Sequence, residues 1–250
     1  MSSKSRSKLG KFKSSLLLKQ PFEWTEKQKQ IVETMNDKST TCVFVDGAAG
    51  TGKTSLAVYS ALHHLQHGLI DKIYYMRSAV ESSHSKLGSL PGDLDQKFAN
   101  FTATLLDGLQ KFLTDEEIKN FIDSRQIESV PLAFLRGRDL QNCIIILDEF
   151  QNVYFDELVT VFTRVGHNFL TENFGTGSSK IFAIGDQDQS DLNNGHKSDS
   201  RNFTGLFKGE DSKNMGIHTF YLGPEEIKRS PFVRHVVEKV LEYRKNNTKS

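Results

Sequence analysis

The fold of this chain is decided by residues 41–54, which read TCVFVDGAAGTGKT. A β-branched and aromatic run predicts a strand that ends in a glycine-rich turn at Gly47, and Lys53 and Thr54 begin a predicted helix. The spacing G-x-x-x-x-G-K-[ST] between a strand and a helix is that of a phosphate loop. An ordinary glycine turn that carries a lysine by chance is the alternative, and the flanking strand and helix argue against it.

The loop has a chemistry that follows from its residue types. Glycines let successive backbone N–H groups turn toward phosphate oxygens, and a helix N-terminus adds positive potential. Lys53 is expected to reach the β- and γ-phosphates, and the Thr54 hydroxyl is expected to bind Mg²⁺. The predicted cofactors are therefore ATP and Mg²⁺. The predicted nucleotide-binding residues are Gly47, Ala48, Ala49, Gly50, Thr51, Gly52, Lys53, Thr54 and Ser55.

Length and charge predict one large α/β domain preceded by a basic arm. The chain has 250 residues and a formal net charge of +1, which lacks the polycation signature of a dedicated nucleic-acid binder. Before Glu23 the basic residues are unopposed by acids. They are Lys4, Arg6, Lys8, Lys11, Lys13 and Lys19. We divide the chain into a flexible arm, residues 1–20, and an ATPase domain, residues 21–250. The arm is either a tether for the phosphate backbone of nucleic acid or a solvated tail.

Cysteine usage and hydropathy indicate a cytoplasmic protein. Cys42 and Cys143 lie in apolar runs without a C-x-x-C pattern, so we interpret both as small core residues in a reducing compartment. No apolar run approaches the roughly 18 residues that a membrane span needs. We expect no membrane contact.

A second landmark is the apolar run at residues 143–149, which read CIIILDE. Such a run predicts a parallel strand buried on both faces, and its carboxyl end delivers acids beside the phosphates. Asp148 is predicted to belong to the coordination shell of Mg²⁺, and Glu149 is predicted to polarise the attacking water. An incidental solvent-exposed strand end is the alternative, which the phosphate loop makes less favourable.

Gln28 has two possible roles. Thr25 and Gln28 match a capping box, which predicts a helix from about Thr25 to Asn36 ahead of the first strand. Gln28 either reaches back to that helix N-terminus only, or it also hydrogen-bonds the adenine edge. The local sequence leaves both open.

Two further side chains are candidates for phosphate chemistry. Gln189 follows a third predicted strand, residues 180–185, and would sense the γ-phosphate unless it merely begins a polar loop. Ser230 and Pro231 predict a helix start with Arg234 just inside it. Arg234 could stabilise charge in the transition state, although a surface arginine on a helix commonly has no chemical role.

The remaining pattern predicts a strand at 72–76 and helices near 98–112, after Thr114, and at 155–165. A Pro-Gly turn at 91–92 predicts a loop beside the ligand edge of the sheet. Residues 167–179 and 193–213 are rich in Asn, Gly and Ser and are interpreted as surface excursions.

Taken in order, these motifs resemble the PhoH-like family of P-loop ATPases, whose RecA-like cores are related to superfamily 1 helicases. The resemblance covers roughly residues 24–243. It is carried by GAAGTGKT (47–54), LGSLPGD (87–93), PLAFLRGR (131–138), IILDEFQN (145–152), TRVG (163–166), GDQDQ (185–189) and VRH (233–235). The sequence departs from the family at Ala48, Ser89 and Phe150, where proline, phenylalanine and alanine are common, and in the excursion after Gly166.

The resemblance implies a three-layer α/β sandwich with a mostly parallel central sheet and a single RecA-like domain. It implies ATP hydrolysis stimulated by single-stranded nucleic acid, RNA in preference to DNA, in the manner of an RNA helicase or translocase. Since the sequence shows no second RecA-like domain, it also implies a hexameric ring in which a neighbour's arginine, Arg234 or Arg136, completes the site. Size and insertions resemble phage-encoded members, whose compartment is the host cytoplasm.

Two other functions stay open from the sequence. The first is a nucleotide-gated oligomeric scaffold that recruits protein partners without moving along a strand. The second is a small-molecule kinase, which the same phosphate loop would serve and for which we find no acceptor pocket.

Overall fold

The computed structural model describes residues 23–78, 94–132, 140–165, 179–192, 195–196, 199–228 and 230–247. The basic arm, the loop at 87–93, the arginines at 136 and 138, and most of the excursion at 167–179 lie outside these residues. Within them, the chain forms six strands and eight helices. The strands are β1 (Cys42–Gly47), β2 (Lys72–Arg77), β3 (Ile127–Pro131), β4 (Cys143–Asp148), β5 (Lys180–Gly185) and β6 (Ile217–Leu222). The helices are α1 (Glu26–Asn36), α2 (Lys53–Gln66), α3 (Leu94–Leu109), α4 (Asp115–Asp123), α5 (Phe155–Phe162), α6 (Asp199–Gly205), α7 (Glu210–Asn214) and α8 (Pro231–Asn247).

The six strands form one parallel sheet in the order β3-β2-β4-β5-β1-β6. Because the strands are parallel, their carboxyl ends meet at one edge, where open α/β sheets bind ligands. The predicted landmark strands β1, β4 and β5 are adjacent at the centre of this sheet. The prediction of a mostly parallel α/β sheet is confirmed.

Alternate strand residues serve two separate cores. Val43 and Val45 of β1 face a core built with α1 to α4, whereas Cys42 and Phe44 face a core built with α5 and α6. This alternation follows from the period of two in a strand, and it puts helices on both faces of the sheet. The three-layer sandwich is therefore confirmed, and both cysteines lie buried in the second core.

The predicted helix start at Thr25 is also confirmed. The Thr25 hydroxyl accepts from the Gln28 amide at 3.2 Å, and Gln28 Oε1 accepts from the Thr25 amide at 3.0 Å. These two bonds satisfy backbone donors that the first helical turn would otherwise leave free. α1 thereby begins at a fixed point next to the phosphate loop.

Two expectations need correction. The sequence did not indicate β3 and β6, which lie at the two edges of the sheet. The stretch 193–213 is not only a surface excursion, because it contains α6 and the start of α7. Phe203 of α6 is 3% exposed and packs edge-on against Phe44 and Phe162. Burying this ring stabilises α6 against the sheet by about 2 kcal/mol.

No helix in the described parts of the chain is long and apolar enough to cross a membrane.

Candidate nucleotide site

The phosphate loop connects β1 to α2 and is held tightly at both ends. Gly50 and Gly52 have φ angles of +85°, the left-handed region that glycine adopts without strain. A Cβ on Gly47 would lie 2.5 Å from the carbonyl oxygen of Leu222, so only glycine fits between β1 and the end of β6. Thr51 is fully buried, and its hydroxyl donates to the Ala48 carbonyl at 2.8 Å. The loop is therefore a preformed backbone cradle of the kind that binds phosphate.

Lys53 is the first residue of α2, and its ammonium lies inside this cradle. Nζ donates to the carbonyls of Gly47 at 2.5 Å and Ala48 at 3.0 Å. Burial lowers the pKa of Lys53, while the nearby carboxylates of Asp186, Glu149 and Asp148 act in the opposite direction. A phosphate oxygen is a stronger acceptor for the ammonium than a neutral carbonyl. We therefore expect Lys53 to leave a loop carbonyl and bind the phosphate when a nucleotide is present.

Asp148 ends β4 and is 5% exposed. The Tyr75 hydroxyl of β2 donates to Oδ2, and the Glu149 amide donates to Oδ1 at 3.0 Å. Burial raises the pKa of Asp148, and the Tyr75 hydrogen bond acts against that shift. Burial, and next the charge of Asp148, also raise the pKa of Tyr75, so the phenol stays a donor. The two donors fix the carboxylate at the carboxyl end of β4.

Glu149 lies just beyond the strand in a left-handed conformation, with φ 53° and ψ 41°. This conformation is rare for a residue with a side chain and costs on the order of 1–3 kcal/mol. Its carboxylate accepts from Gln151 Nε2 at 2.5 Å and lies 3.7 Å from the Arg77 guanidinium. The side chain is 36% exposed, so water reaches a carboxylate whose direction is set by two neighbours.

Gln151 couples the ends of β4 and β5. It is 1% exposed, and besides its bond to Glu149 its Oε1 accepts from the Asp186 amide at 3.1 Å. Gly185 makes room for it, because a Cβ there would collide with Gln151 Oε1 and come within 2.9 Å of Phe150. Sequence reasoning missed this role, since the contact between Gln151 and Asp186 joins residues far apart in the chain.

The end of β5 brings further acids to the loop. Asp186 Oδ2 accepts from Gln189 Nε2 at 2.8 Å, and Asp46 Oδ1 accepts from the Gln187 amide at 2.9 Å. Burial raises the pKa of both aspartates. Gln189 itself is exposed, so its role as a γ-phosphate sensor stays a prediction, and Asp186 is the residue of this segment whose charge acts on Lys53.

Nine of the predicted site residues line one cavity of about 680 Å³, whereas Gly47, Ala48 and Thr51 of the loop do not. Its lining combines loop residues, both acids and residues that the sequence did not single out. They are Gln28, Ala49, Gly50, Gly52, Lys53, Thr54, Ser55, Asp107, Lys111, Asp148, Glu149 and Lys228. Among the described residues, neither Gln189 nor Arg234 lines it. Three lining residues were not expected. Asp107 belongs to α3, Lys111 to the turn after α3, and Lys228 to the connection between β6 and α8. Lys111 donates to Ser55 Oγ at 2.9 Å.

Gln28 performs the capping role and more. Its Nε2 donates to the Thr51 carbonyl at 3.0 Å and to the Glu226 carbonyl at 3.2 Å, and the residue is 1% exposed. It therefore joins α1 to the phosphate loop and to the 3-10 turn Pro224–Glu226. Because both amide hydrogens are used, an adenine contact would require an exchange of partners, and that role stays a prediction.

Arg234 lies in the first turn of α8, away from the cavity. Its guanidinium donates to the Glu225 carbonyl at 2.6 Å and to the Ile227 carbonyl at 3.3 Å. These bonds attach the start of α8 to the turn Pro224–Glu226. A catalytic role for Arg234 is not tested by this arrangement.

The donor set fits Mg²⁺ bound together with a nucleotide. The described residues contain no group of three or more His, Cys, Asp or Glu side chains that could hold a metal ion by themselves. Mg²⁺ in P-loop proteins is bound by few protein oxygens together with phosphates and water. Thr54 and Asp148 are oxygen donors of this kind, and both line the cavity.

Sequence comparison with known proteins finds similarity to PhoH-like proteins. A family model described as PhoH-like protein matches residues 23–241. A PhoH-like protein of Synechocystis is 37% identical over 214 residues, covering 86% of this chain and 60% of that protein. One of Bacillus subtilis is 38% identical over 211 residues, covering 84% and 61%. Protein PhoH of Escherichia coli K12 is 31% identical over 190 residues, covering 75% and 49%. The chain thus spans about 60% of the length of the first two relatives.

Solved structures of Pif1 helicases give weaker matches. The enzyme from Candida albicans has a TM-score of 0.39 at 14% identity, covering 81% of this chain and 40% of that one. A Bacteroides Pif1 in complex with ADP-AlF3 and ssDNA has a TM-score of 0.36 at 17% identity, covering 81% and 42%. Such low values decide neither the fold nor the function.

Proposed function

This chain belongs to the PhoH-like family, and from that premise we propose that it binds ATP with Mg²⁺ and hydrolyses its β–γ phosphoanhydride bond, which releases ADP and phosphate. The observation that carries the proposal is that Lys53, Asp148 and Glu149 line one cavity with the phosphate loop. A binding loop alone would not need an aligned acid. A carboxylate directed toward solvent beside the metal position is what hydrolysis adds.

Each residue has a defined part in the proposed reaction. The loop amides and Lys53 hold the phosphates, and Lys53 balances charge that develops on the leaving oxygen. Thr54 and Asp148 would hold Mg²⁺, which would neutralise charge on the phosphate oxygens. Glu149 orients the attacking water and takes up its proton, while Gln151 and Arg77 keep the carboxylate in place. Gln189, Arg234 and the adenine contact of Gln28 belong to the same proposal without direct support from the cavity.

The finer proposal is a nucleic-acid-stimulated ATPase, an RNA helicase or translocase that acts as a hexameric ring. The resemblance to the family supports it, and so does the run of six basic residues at 4–19 without an acid. In that ring a neighbouring subunit would supply an arginine. Arg234 is the candidate among the residues that the structure describes. The competing proposal is a nucleotide-gated scaffold, which would bind ATP and change its assembly without responding to nucleic acid.

Phosphate release measured with and without a strand separates the two. The chain is assayed with Mg²⁺ and ATP at low salt, alone, with single-stranded RNA, with DNA of the same sequence, and with heparin as a polyanion control. The motor predicts that RNA raises turnover several-fold, more than DNA does, and that heparin does not. Unchanged turnover with either strand would reject the motor. Light scattering with and without ATP then decides the ring, since a monomer with full turnover would reject it.

A further inference from the structure

A second cavity shares no lining residue with the nucleotide site. It has a volume of about 840 Å³ and lies between α8 and the ends of β5 and β6. We call it the α8 groove. Its lining is acidic and aromatic, and comprises Asp188, Tyr221, Gly223, Pro224, Glu225, Glu238, Leu241, Glu242, Tyr243 and Arg244. Four carboxylates face one cation there, so the groove favours a basic occupant.

The carboxylates of the groove can form ion pairs with an incoming basic segment. Asp188 pairs with Arg201, and Glu242 pairs with Lys239 at 2.8 Å, but both pairs are exposed and therefore weak. Glu225 and Glu238 have no ion-pair partner among the residues that the structure describes. A lysine-rich segment could pair with these two without first breaking a strong interaction.

The lining of the groove also contains apolar and aromatic surface. Tyr221 is 47% exposed and Tyr243 is 70% exposed, and Leu241 lines the groove as well. The exposed Phe232, Val236 and Val240 lie on the opposite side of α8 from Glu238 and Leu241, so they do not belong to the groove. The groove therefore combines carboxylates with apolar surface, and a matching occupant must be both basic and apolar.

The first 22 residues of this chain have that composition. Their basic residues are interleaved with leucines and phenylalanines, namely Leu9, Phe12, Leu16, Leu17, Leu18 and Phe22. This leader precedes residue 23, where the match to the family model begins, so the family pattern assigns it no role. Six basic side chains, no acid and six leucine and phenylalanine side chains complement the groove in both respects.

The leader also starts beside the groove. Trp24 is 7% exposed and packs edge-on against Tyr59, which anchors the chain at this point. The next residue, Thr25, donates from its hydroxyl to the Glu226 carboxylate. Glu226 belongs to the same turn as Pro224 and Glu225, which line the groove. Residues 1–22 therefore leave the fold from the rim of the groove, at a high effective local concentration.

We propose that the basic leader of this chain, residues 1–22, docks into its own α8 groove, with its lysines on Glu225 and Glu238 and its leucines against Tyr221, Leu241 and Tyr243.

Disulfide trapping in the full chain tests the docking. Leu9→Cys is combined with Leu241→Cys in the groove or, as the matched control, with Ile122→Cys on α4. α4 packs beside β3, at the sheet edge opposite β6, and Ile122 is 38% exposed. From Leu9 to the anchored Trp24 the extended chain spans up to about 50 Å, so the leader cysteine reaches either position. The native Cys42 and Cys143 are buried and do not compete.

Docking predicts that the groove pair closes within one chain about tenfold faster than the control pair, because docking raises the local concentration of the leader cysteine. Equal rates for the two pairs would overturn the proposal. A product that links two chains would assign the groove to a neighbouring copy and would overturn docking in cis.

Charge reversal tests the recognition. Glu225→Lys with Glu238→Lys should reduce the groove rate to that of the control, and adding Lys11→Glu with Lys13→Glu should restore it. Glu225 and Glu238 are exposed, so thermal unfolding of their double variant should stay unchanged, which separates lost docking from lost folding. A groove rate that survives the reversal would overturn the assignment of the lysines to these two glutamates.

Discussion

Two lysines lie at opposite ends of the same sheet, and burial lowers the pKa of both. Lys53 lies at the carboxyl end, in a cavity that also contains Asp148 and Glu149. Lys180 begins β5 at the amino end and is 4% exposed, with Nζ donating to the carbonyls of Asp37 at 2.5 Å and Met35 at 3.5 Å. Those carbonyls belong to the end of α1, where a cation is favourable.

The difference shows that burial of a charged group does not identify a site. Lys180 is enclosed by the helix end that it stabilises, so no space is left for a ligand. Lys53 has equally good protein partners, but these lie in a backbone cradle open to a cavity and surrounded by acids. In the proposed function the carboxyl end of the sheet would bind a phosphate and a metal, whereas Lys180 at the amino end stabilises the end of α1.

The largest expected effect is on ATP affinity. Lys53→Ala removes the ammonium that holds the β- and γ-phosphates and should weaken binding by about 4 kcal/mol, close to a thousandfold. Isothermal titration with Mg²⁺ and ATP measures it. Lys180→Met is the control and should bind ATP as the wild type does. Similar affinities for all three proteins would show that Lys53 does not contact the nucleotide.

Glu149→Gln should separate binding from hydrolysis. The amide keeps the shape of the side chain but cannot take a proton from water, so turnover should fall roughly 10²-fold or more while ATP still binds. Initial rates of phosphate release test this, with Glu116→Gln, on an exposed position of α4, as control. Wild-type turnover in Glu149→Gln would remove Glu149 from the mechanism.

Tyr75→Phe tests whether the hydrogen bond from Tyr75 helps Asp148 to bind Mg²⁺. Without the phenol, Asp148 loses a donor that lowers its pKa, so its carboxylate should bind Mg²⁺ less well. A hydrogen bond to a charged group contributes about 1.5 kcal/mol, which predicts a roughly tenfold higher Mg²⁺ requirement. Turnover measured against Mg²⁺ concentration gives the half-saturation value. An unchanged value would mean that Tyr75 only packs.

The smallest effect concerns Lys180 and appears as pH dependence. Its pKa is lowered to about 8 by burial, from the ordinary 10.5. Between these values the unfolded state carries a proton that the folded state lacks, so stability rises as pH increases from 8 to 10.5 and is constant with respect to this group outside that window. The gain should be on the order of 2 kcal/mol relative to Lys180→Met. Urea unfolding of both proteins at pH 7.5 and 10 measures it, and parallel changes would contradict it.

The sequence predicted what is local at the carboxyl end. The motif at 47–54 and the acids at 148–149 are contiguous, and their strands are central and continuously apolar, which is a strong signal. Tyr75, Gln151 and Lys228 were not found, because each reaches the site from another element and no spacing along the chain encodes that contact.

The missed elements have a physical explanation as well. β3 and β6 are edge strands, so their sequences IESVP and IHTFYL lack the long apolar run of a central strand. Pro131 is tolerated at the end of β3 because an edge strand does not need every N–H in the ladder. The sequence pattern did not predict α6, because a single buried ring, that of Phe203, attaches an otherwise polar segment to the core.

The most direct test of the central claim is whether the wild-type chain converts bound ATP. The chain is mixed with Mg²⁺ and γ-labelled ATP below the protein concentration, and the label is followed over time. The account predicts release of labelled phosphate that requires Mg²⁺ and that is slowed at least a hundredfold in Glu149→Gln. Recovery of intact ATP from the wild-type complex would contradict it, because the carboxyl end of the sheet would then be a binding site without hydrolysis.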